Sequence, residues 1–87
     1  MASARTPHTA PRSLADIWGE SLTERREQLG LSRAQLARAA EMTSQAVWQF
    51  ETGQRVPLDR TKVVLARALG TNPGELFPWP PMEDLVA

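Results

Sequence analysis

Helix-boundary signals crowd this chain, and they limit each element to a few turns. Ser13 followed by Asp16 is a capping signature that starts a helix at Leu14. Gly30 ends that helix, because the residue just past a helix often needs positive φ and glycine adopts it without a Cβ penalty. Ser32 and Gln35 form a second box, S-x-x-Q, and open a short helix over about 33–40. Thr43 is the next N-cap; its helix runs to about Thr52, and Gly53 closes it. Pro57 and then Asp59 bring in a fourth helix that ends at Leu69–Gly70, and "TNPGELF" adds one more turn. The prolines at 78, 80 and 81 keep "PWPPMEDLVA" from being a continuous helix. No segment alternates apolar and polar residues strongly enough for a strand, and no internal repeat is visible. The expected fold class is all-α, a bundle of about five short helices over residues 13–77. A flexible N-terminal arm (1–12) precedes it and a Pro-rich C-terminal tail (78–87) follows it.

The apolar residues give each helix an inner face. Leu14, Trp18, Leu22 and Leu29 lie near one side of the first helix. Leu36, Ala37 and Ala40 face inward on the second, and Val63 or Val64, Leu65, Ala66 and Leu69 on the fourth. Leu76 and Phe77 cover the core. A chain of 87 residues fits one small domain.

Composition excludes several kinds of chemistry. There is no cysteine, so disulfides and thiolate metal sites are ruled out. The one histidine, His8, has no second ligand nearby, so no metal and no cofactor is expected. No apolar run approaches the roughly 18 residues of a membrane span, and no signal-peptide stretch is present. A cytoplasmic protein is the expectation. No nucleophile–base pair or phosphate loop argues for an enzyme.

Charge is balanced in sum, with 10 basic and 10 acidic residues, but not in distribution. The arm carries Arg5 and Arg12 without an acid. The stretch 33–67 carries Arg33, Arg38, Arg55, Arg60, Lys62 and Arg67 against Glu41, Glu51 and Asp59. The first helix and the tail lean acidic. A neutral protein can still present one positive face.

The helix inside "TSQAVWQFETG", residues 43–53, has two unlike sides. At about 100° per residue, Ala46, Val47 and Phe50 share one arc, with Glu51 at its edge. Ser44, Gln45, Trp48, Gln49 and Thr52 share the opposite arc. The first arc is a core face; the second is polar and uncharged. A glutamine amide offers a donor beside an acceptor, which matches the N6/N7 edge of adenine and can also satisfy guanine. Solvated helix faces usually carry Lys, Glu or Arg instead. Amides toward bases with arginines toward phosphates is the division that groove reading requires. The alternative at this point is an ordinary surface helix.

Over "LSRAQLARAAEMTSQAVWQFETGQRVP", residues 31–57, the chain resembles the helix-turn-helix proteins of the phage repressor and Cro type, the Xre-like family. The resemblance extends from about Trp18 to Phe77. The small residue of the first motif helix is Ala37, and the apolar positions of the pair are Leu36, Ala40, Met42, Val47 and Phe50. Glu51-Thr52-Gly53 matches the E-x-G that closes the second helix, and Ala68-Leu69-Gly70 with Glu75-Leu76-Phe77 matches the ending. Two positions depart from the pattern. Glu41 stands where the tight turn usually has glycine, at a cost of about 1 kcal/mol. Asp59 and Lys62 stand where the family tends to be apolar.

The resemblance implies a lambda-repressor-like domain that regulates transcription, with the helix over about 44–52 in the major groove. Ser44, Gln45, Trp48 and Gln49 match base-contacting positions, and Arg33, Thr43, Arg38 and Arg55 match backbone-contacting ones. Arg26 and Glu51 match an ion pair buried in some relatives; two independent surface charges are the other reading. Trp48 has three readings: contact with a thymine methyl or sugar, a protein contact, or exposure without a role. Arg5 and Arg12 either reach into a groove or lie on a solvated terminus. Trp79 is expected to pack on the domain or on a second subunit. The implied partner is double-stranded DNA with a palindromic operator, bound as a homodimer that could form only on DNA. A second functional class is a protein-interaction module on the same fold, such as an antitoxin or anti-repressor partner.

Overall fold

The computed structural model describes residues 13–81. It contains α1 (Leu14–Gln28), α2 (Arg33–Ala39), α3 (Ser44–Glu51), α4 (Asp59–Ala68) and α5 (Pro73–Leu76), with no strand among the described residues. Arg5, Arg12, His8 and the last residues of the tail lie outside this range.

The caps form as the local chemistry requires. The Ser13 hydroxyl accepts from the Asp16 N–H at 3.1 Å, and the Thr43 hydroxyl accepts from Ala46 N–H at 3.0 Å. Ser32 and Gln35 satisfy each other's backbone N–H in a reciprocal capping box. Asn72 caps α5 by accepting from Glu75 N–H at 3.0 Å. Leu58 precedes α4 without a side-chain cap; there Asp59 supplies the negative charge that the helix start favours. The α2–α3 turn is made by Glu41 at φ 56°, the left-handed conformation expected of a glycine.

The core is one cluster: Trp18 and Leu22 from α1, Leu36, Ala37 and Ala40, Val47 and Phe50 from α3, Leu65, Ala66 and Leu69, and Leu76 and Phe77. Helix α1 runs through the middle, against α3 on one side and α5 on the other. One inner-face expectation changes and one open choice is resolved. Leu29 is 45% exposed, because it is the C-cap and its side chain leaves the helical stripe once the helix has stopped. On α4 the choice between the two valines falls on Val64, which is partly buried against the core, while Val63 is exposed.

Close approach between α1 and α3 depends on Gly19. A Cβ there would lie 2.5 Å from the Glu51 carbonyl oxygen and 2.8 Å from that of Phe50. Such contacts are within the repulsive wall, so only glycine lets the two backbones meet. Nothing in the apolar periodicity marks this position.

On the other side of α1, polar side chains tie down the C-terminal elements. Arg25 Nε donates to the Leu69 carbonyl at 3.1 Å, at the end of α4. Ser21 Oγ donates to the Leu76 carbonyl. Trp18 Nε1 donates to the Pro78 carbonyl at 2.7 Å, and its ring meets those of Phe77 and Trp79 edge-on at 5.7 and 5.3 Å. Trp79 therefore packs on the domain, and the packed body continues past Phe77. Lys62 fits a position where an apolar residue was expected because its ammonium lies 3.9 Å from the Trp18 ring centroid. Its side chain is only 15% exposed, so the stem packs as an apolar chain while the charge rests on the ring face.

Candidate nucleic-acid interface

Helix α3 is held by its buried side and presents the other. Val47, Phe50 and Glu51 are buried. Ser44, Gln45, Trp48 and Thr52 are exposed, and Gln49 is half-buried. Trp48 is the large apolar residue on this face, at 37% exposure. The division into two arcs is thus present in the structure, with Glu51 on the inner side of its edge.

The most buried charge in this region sets the orientation of α3. Arg26 Nε donates to Glu51 Oε2 at 2.6 Å and Arg26 Nη2 to Oε1 at 3.1 Å, a bidentate pair. The side chains are 10% and 1% exposed, so the alternative of two independent surface charges is excluded. Arg26 Nη1 also donates to the Leu31 carbonyl at 2.8 Å, tying the α1–α2 loop to the same cluster. Hydrogen bonding to Glu51 raises the Arg26 pKa above its ordinary value, with burial opposing it. On the arginine's side of the pair, a raised value means a contribution that is fully present below the unfolded arginine's pKa and is lost as pH rises through the folded one. Among the described residues, no buried side-chain N or O atom lacks a partner.

Arg33, expected at a phosphate-contacting position, also takes part in this cluster. Its Nε donates to Glu51 Oε1 at 2.8 Å, and its side chain remains 43% exposed. Glu51 is therefore gripped by two arginines from two elements. Sequence inspection pairs Glu51 with Arg26 only through the family resemblance, and gives no sign of the third member.

Arg38 and Arg55 are the other two arginines expected at backbone-contacting positions. Arg38 is exposed on α2. Arg55, in the loop after α3, turns back on the helix: its guanidinium carbon lies 4.9 Å from the Phe50 ring centroid, and Nη1 donates to Gln49 Oε1 at 3.2 Å. Thr43 is occupied as the N-cap, and Thr52 Oγ1 donates to the Trp48 carbonyl at 2.8 Å. No cluster of three or more His, Cys, Asp or Glu that could hold a metal ion exists among the described residues. No helix there is long and apolar enough to cross a membrane.

Comparison with known proteins agrees with this geometry. A family model described as a helix-turn-helix domain matches residues 18–79. The chain is similar to the restriction-modification controller protein C.AhdI from Aeromonas hydrophila, with 35% identity over 72% of this chain and 96% of that one, at a TM-score of 0.70. It is similar to the P22 c2 repressor, solved in complex with synthetic operator 9T, at 26% identity over 70% of this chain and 92% of that one, TM-score 0.67. The clp gene regulator ClgR from C. glutamicum shares the fold, at 21% identity over 72% and 82% of the two chains and a TM-score of 0.69. No curated protein matches in sequence. With most of its length covered by the family model, and with the α2–α3 pair built as the motif requires, this chain belongs to the helix-turn-helix family of the phage-repressor, Xre-like type.

Proposed function

We propose that this chain is a sequence-specific, double-stranded-DNA-binding transcription regulator with α3 as the recognition helix. One observation carries the reading: the outward face of α3 bears uncharged hydrogen-bonding side chains, while its inward face is locked by buried Glu51. Base edges are read by such groups when a rigid helix enters the major groove, because a misplaced donor or acceptor gains nothing. In this reading Ser44, Gln45 and Gln49 contact bases, and Trp48 packs on a thymine methyl or a sugar. The exposed part of Arg33, with Arg38 and Thr43, approaches the phosphates.

The solved P22 c2 repressor complex contains an operator, which supports DNA as the partner here. Two copies on a palindromic site follow from the small size of the footprint: one helix reads only a few base pairs, and a two-fold doubles them. Such a regulator works in the cytoplasm, where bacterial or phage DNA is found, and does its work by binding rather than by catalysis.

Selection from a randomised duplex library, followed by titration of the selected and a scrambled duplex, tests the reading. A selected sequence bound at least about a hundredfold more tightly than the scrambled one is expected. Equal binding of the two would overturn it. Trp48 at the centre of the face favours the second reading, a protein-interaction module, in that event.

A further inference from the structure

We infer that Arg55 is a positioning residue for specificity: it fixes the orientation of the Gln49 amide, so that Gln49 reads acceptor edges while Gln45 remains free to read either way. The inference rests on the proposed DNA-reading function and assigns a base preference within that site. A side-chain amide can usually turn over, exchanging its oxygen and its NH2 at little cost. A guanidinium removes that freedom, since it has donors only and no acceptor. The amide atom facing Arg55 must therefore be oxygen, as it is at 3.2 Å, and the NH2 is directed elsewhere.

Three contacts hold the arginine at this station. Its backbone N–H donates to the Gln49 carbonyl at 3.2 Å, beside the Gln54 N–H on the same oxygen at 2.8 Å. Its guanidinium carbon lies 4.9 Å from the Phe50 ring centroid, an attractive cation–π distance. Its Nη1 then reaches Gln49 Oε1. Because Phe50 belongs to the core, this face of the loop is anchored on a buried ring. Gln45 is exposed, and among the described residues no side-chain hydrogen bond ties it to such a partner.

The chemical consequence follows from the base edges. Adenine presents an acceptor beside a donor and needs the amide oxygen as well as the NH2 for a bidentate contact. Guanine presents two acceptors, N7 and O6, and is served by the NH2. The Gln49 oxygen keeps a second lone pair, but Arg55 fixes its direction, so the amide can meet adenine's acceptor–donor edge in one orientation only, whereas the NH2 alone serves guanine; Gln49 therefore prefers guanine at the base it touches. Removing Arg55 lets the amide turn and admits adenine.

The test has two arms on the intact chain. In the first, without DNA, the side-chain amide resonances of Gln49 and Gln45 are compared by NMR in the wild type and in Arg55→Ala. The expected result is a displaced Gln49 signal that moves to the free-amide position of Gln45 in the variant. A Gln49 signal already at the free-amide position in the wild type would overturn the inference, whatever the protein binds. In the second arm, wild type, Gln49→Ala and Arg55→Ala are profiled on a library varied at every base pair of the selected site. Gln49→Ala marks the base pair that Gln49 reads. Wild type should prefer guanine over adenine there by about fivefold or more, and Arg55→Ala should reduce that ratio to below about twofold while leaving the Gln45 position unchanged. Uniform weakening by Arg55→Ala with a lower salt slope and an unaltered profile would overturn it, leaving Arg55 as a phosphate contact. A wild type without any sequence preference would instead remove the proposed function, a result distinct from either outcome in the NMR arm. Arg55 is exposed, and an unchanged melting temperature shows that the variant keeps the fold.

Discussion

Helix α1 is joined to the rest of the molecule in two different ways. Toward α3, the contact is backbone on backbone at Gly19, with a bidentate ion pair behind it. Toward α4 and the tail, it is a stack of Trp18 with Lys62, Phe77 and Trp79, of which Trp79 is 71% exposed. The first junction has little slack, because it combines a steric limit with a buried, bidentate ion pair. The second is adaptable, because rings and a lysine stem can slide by some tenths of an ångström and still touch. The helix proposed to read DNA is attached through the unyielding junction. A reading helix must hold its donors and acceptors in place, whereas the opposite side has only to cover the core.

The two junctions should break differently. Glu51→Ala is expected to have the largest effect, since it leaves Arg26 largely buried without its counter-charge. Chemical denaturation should show a loss of about 3–5 kcal/mol. A loss below about 1 kcal/mol would mean that this junction is no stiffer than a surface pair. Gly19→Ala comes next. Its added carbon would overlap the Glu51 carbonyl, which is backbone and cannot swing aside. The expected cost is about 1–3 kcal/mol, despite alanine's better helix propensity, which alone would stabilise by about 1 kcal/mol. A more stable Gly19→Ala protein would disprove the close crossing. Lys62→Met keeps the stem over Trp18 and removes the charge; a change of about 1 kcal/mol or less is expected in the same assay. A loss as large as that of Glu51→Ala would erase the contrast between the junctions.

What could be read from the sequence alone follows the range of the interactions. The caps at Ser13, Ser32 and Thr43 were legible because each is satisfied within three residues, so the helix starts come out to the residue. The helix ends come out as well, with Gly30, Gly53 and Gly70 at positive φ just past them; what fails is the inner face at the last turn, as Leu29 shows. A wheel projection continues past the last turn, but the side chain does not. The two arcs of α3 were legible because they need only the helical period. Glu41 at positive φ was reached through the family pattern and is present.

The partners that fix the site are far apart in the chain. Arg26 and Glu51 are 25 residues apart, Arg25 and Leu69 44, and Trp18 and Pro78 60. The resemblance supplied the first of these pairs and had nothing to say of the others. Arg33 on Glu51 and Arg55 on Gln49 were legible only as basic residues near a polar helix. Gly19 was the least legible, because a glycine inside a helix carries the same local signal whether it is a weakness or a contact.

The account depends most directly on Gln45, an exposed, uncharged side chain on a helix whose other face is locked. Titrating wild type and Gln45→Ala against the selected duplex and a scrambled one measures this. The prediction is a roughly 5- to 150-fold weaker affinity of the variant for the selected duplex, with an unchanged affinity for the scrambled duplex and an unchanged melting temperature. Equal affinities of wild type and variant on the selected duplex, or equal losses on both duplexes, would contradict it.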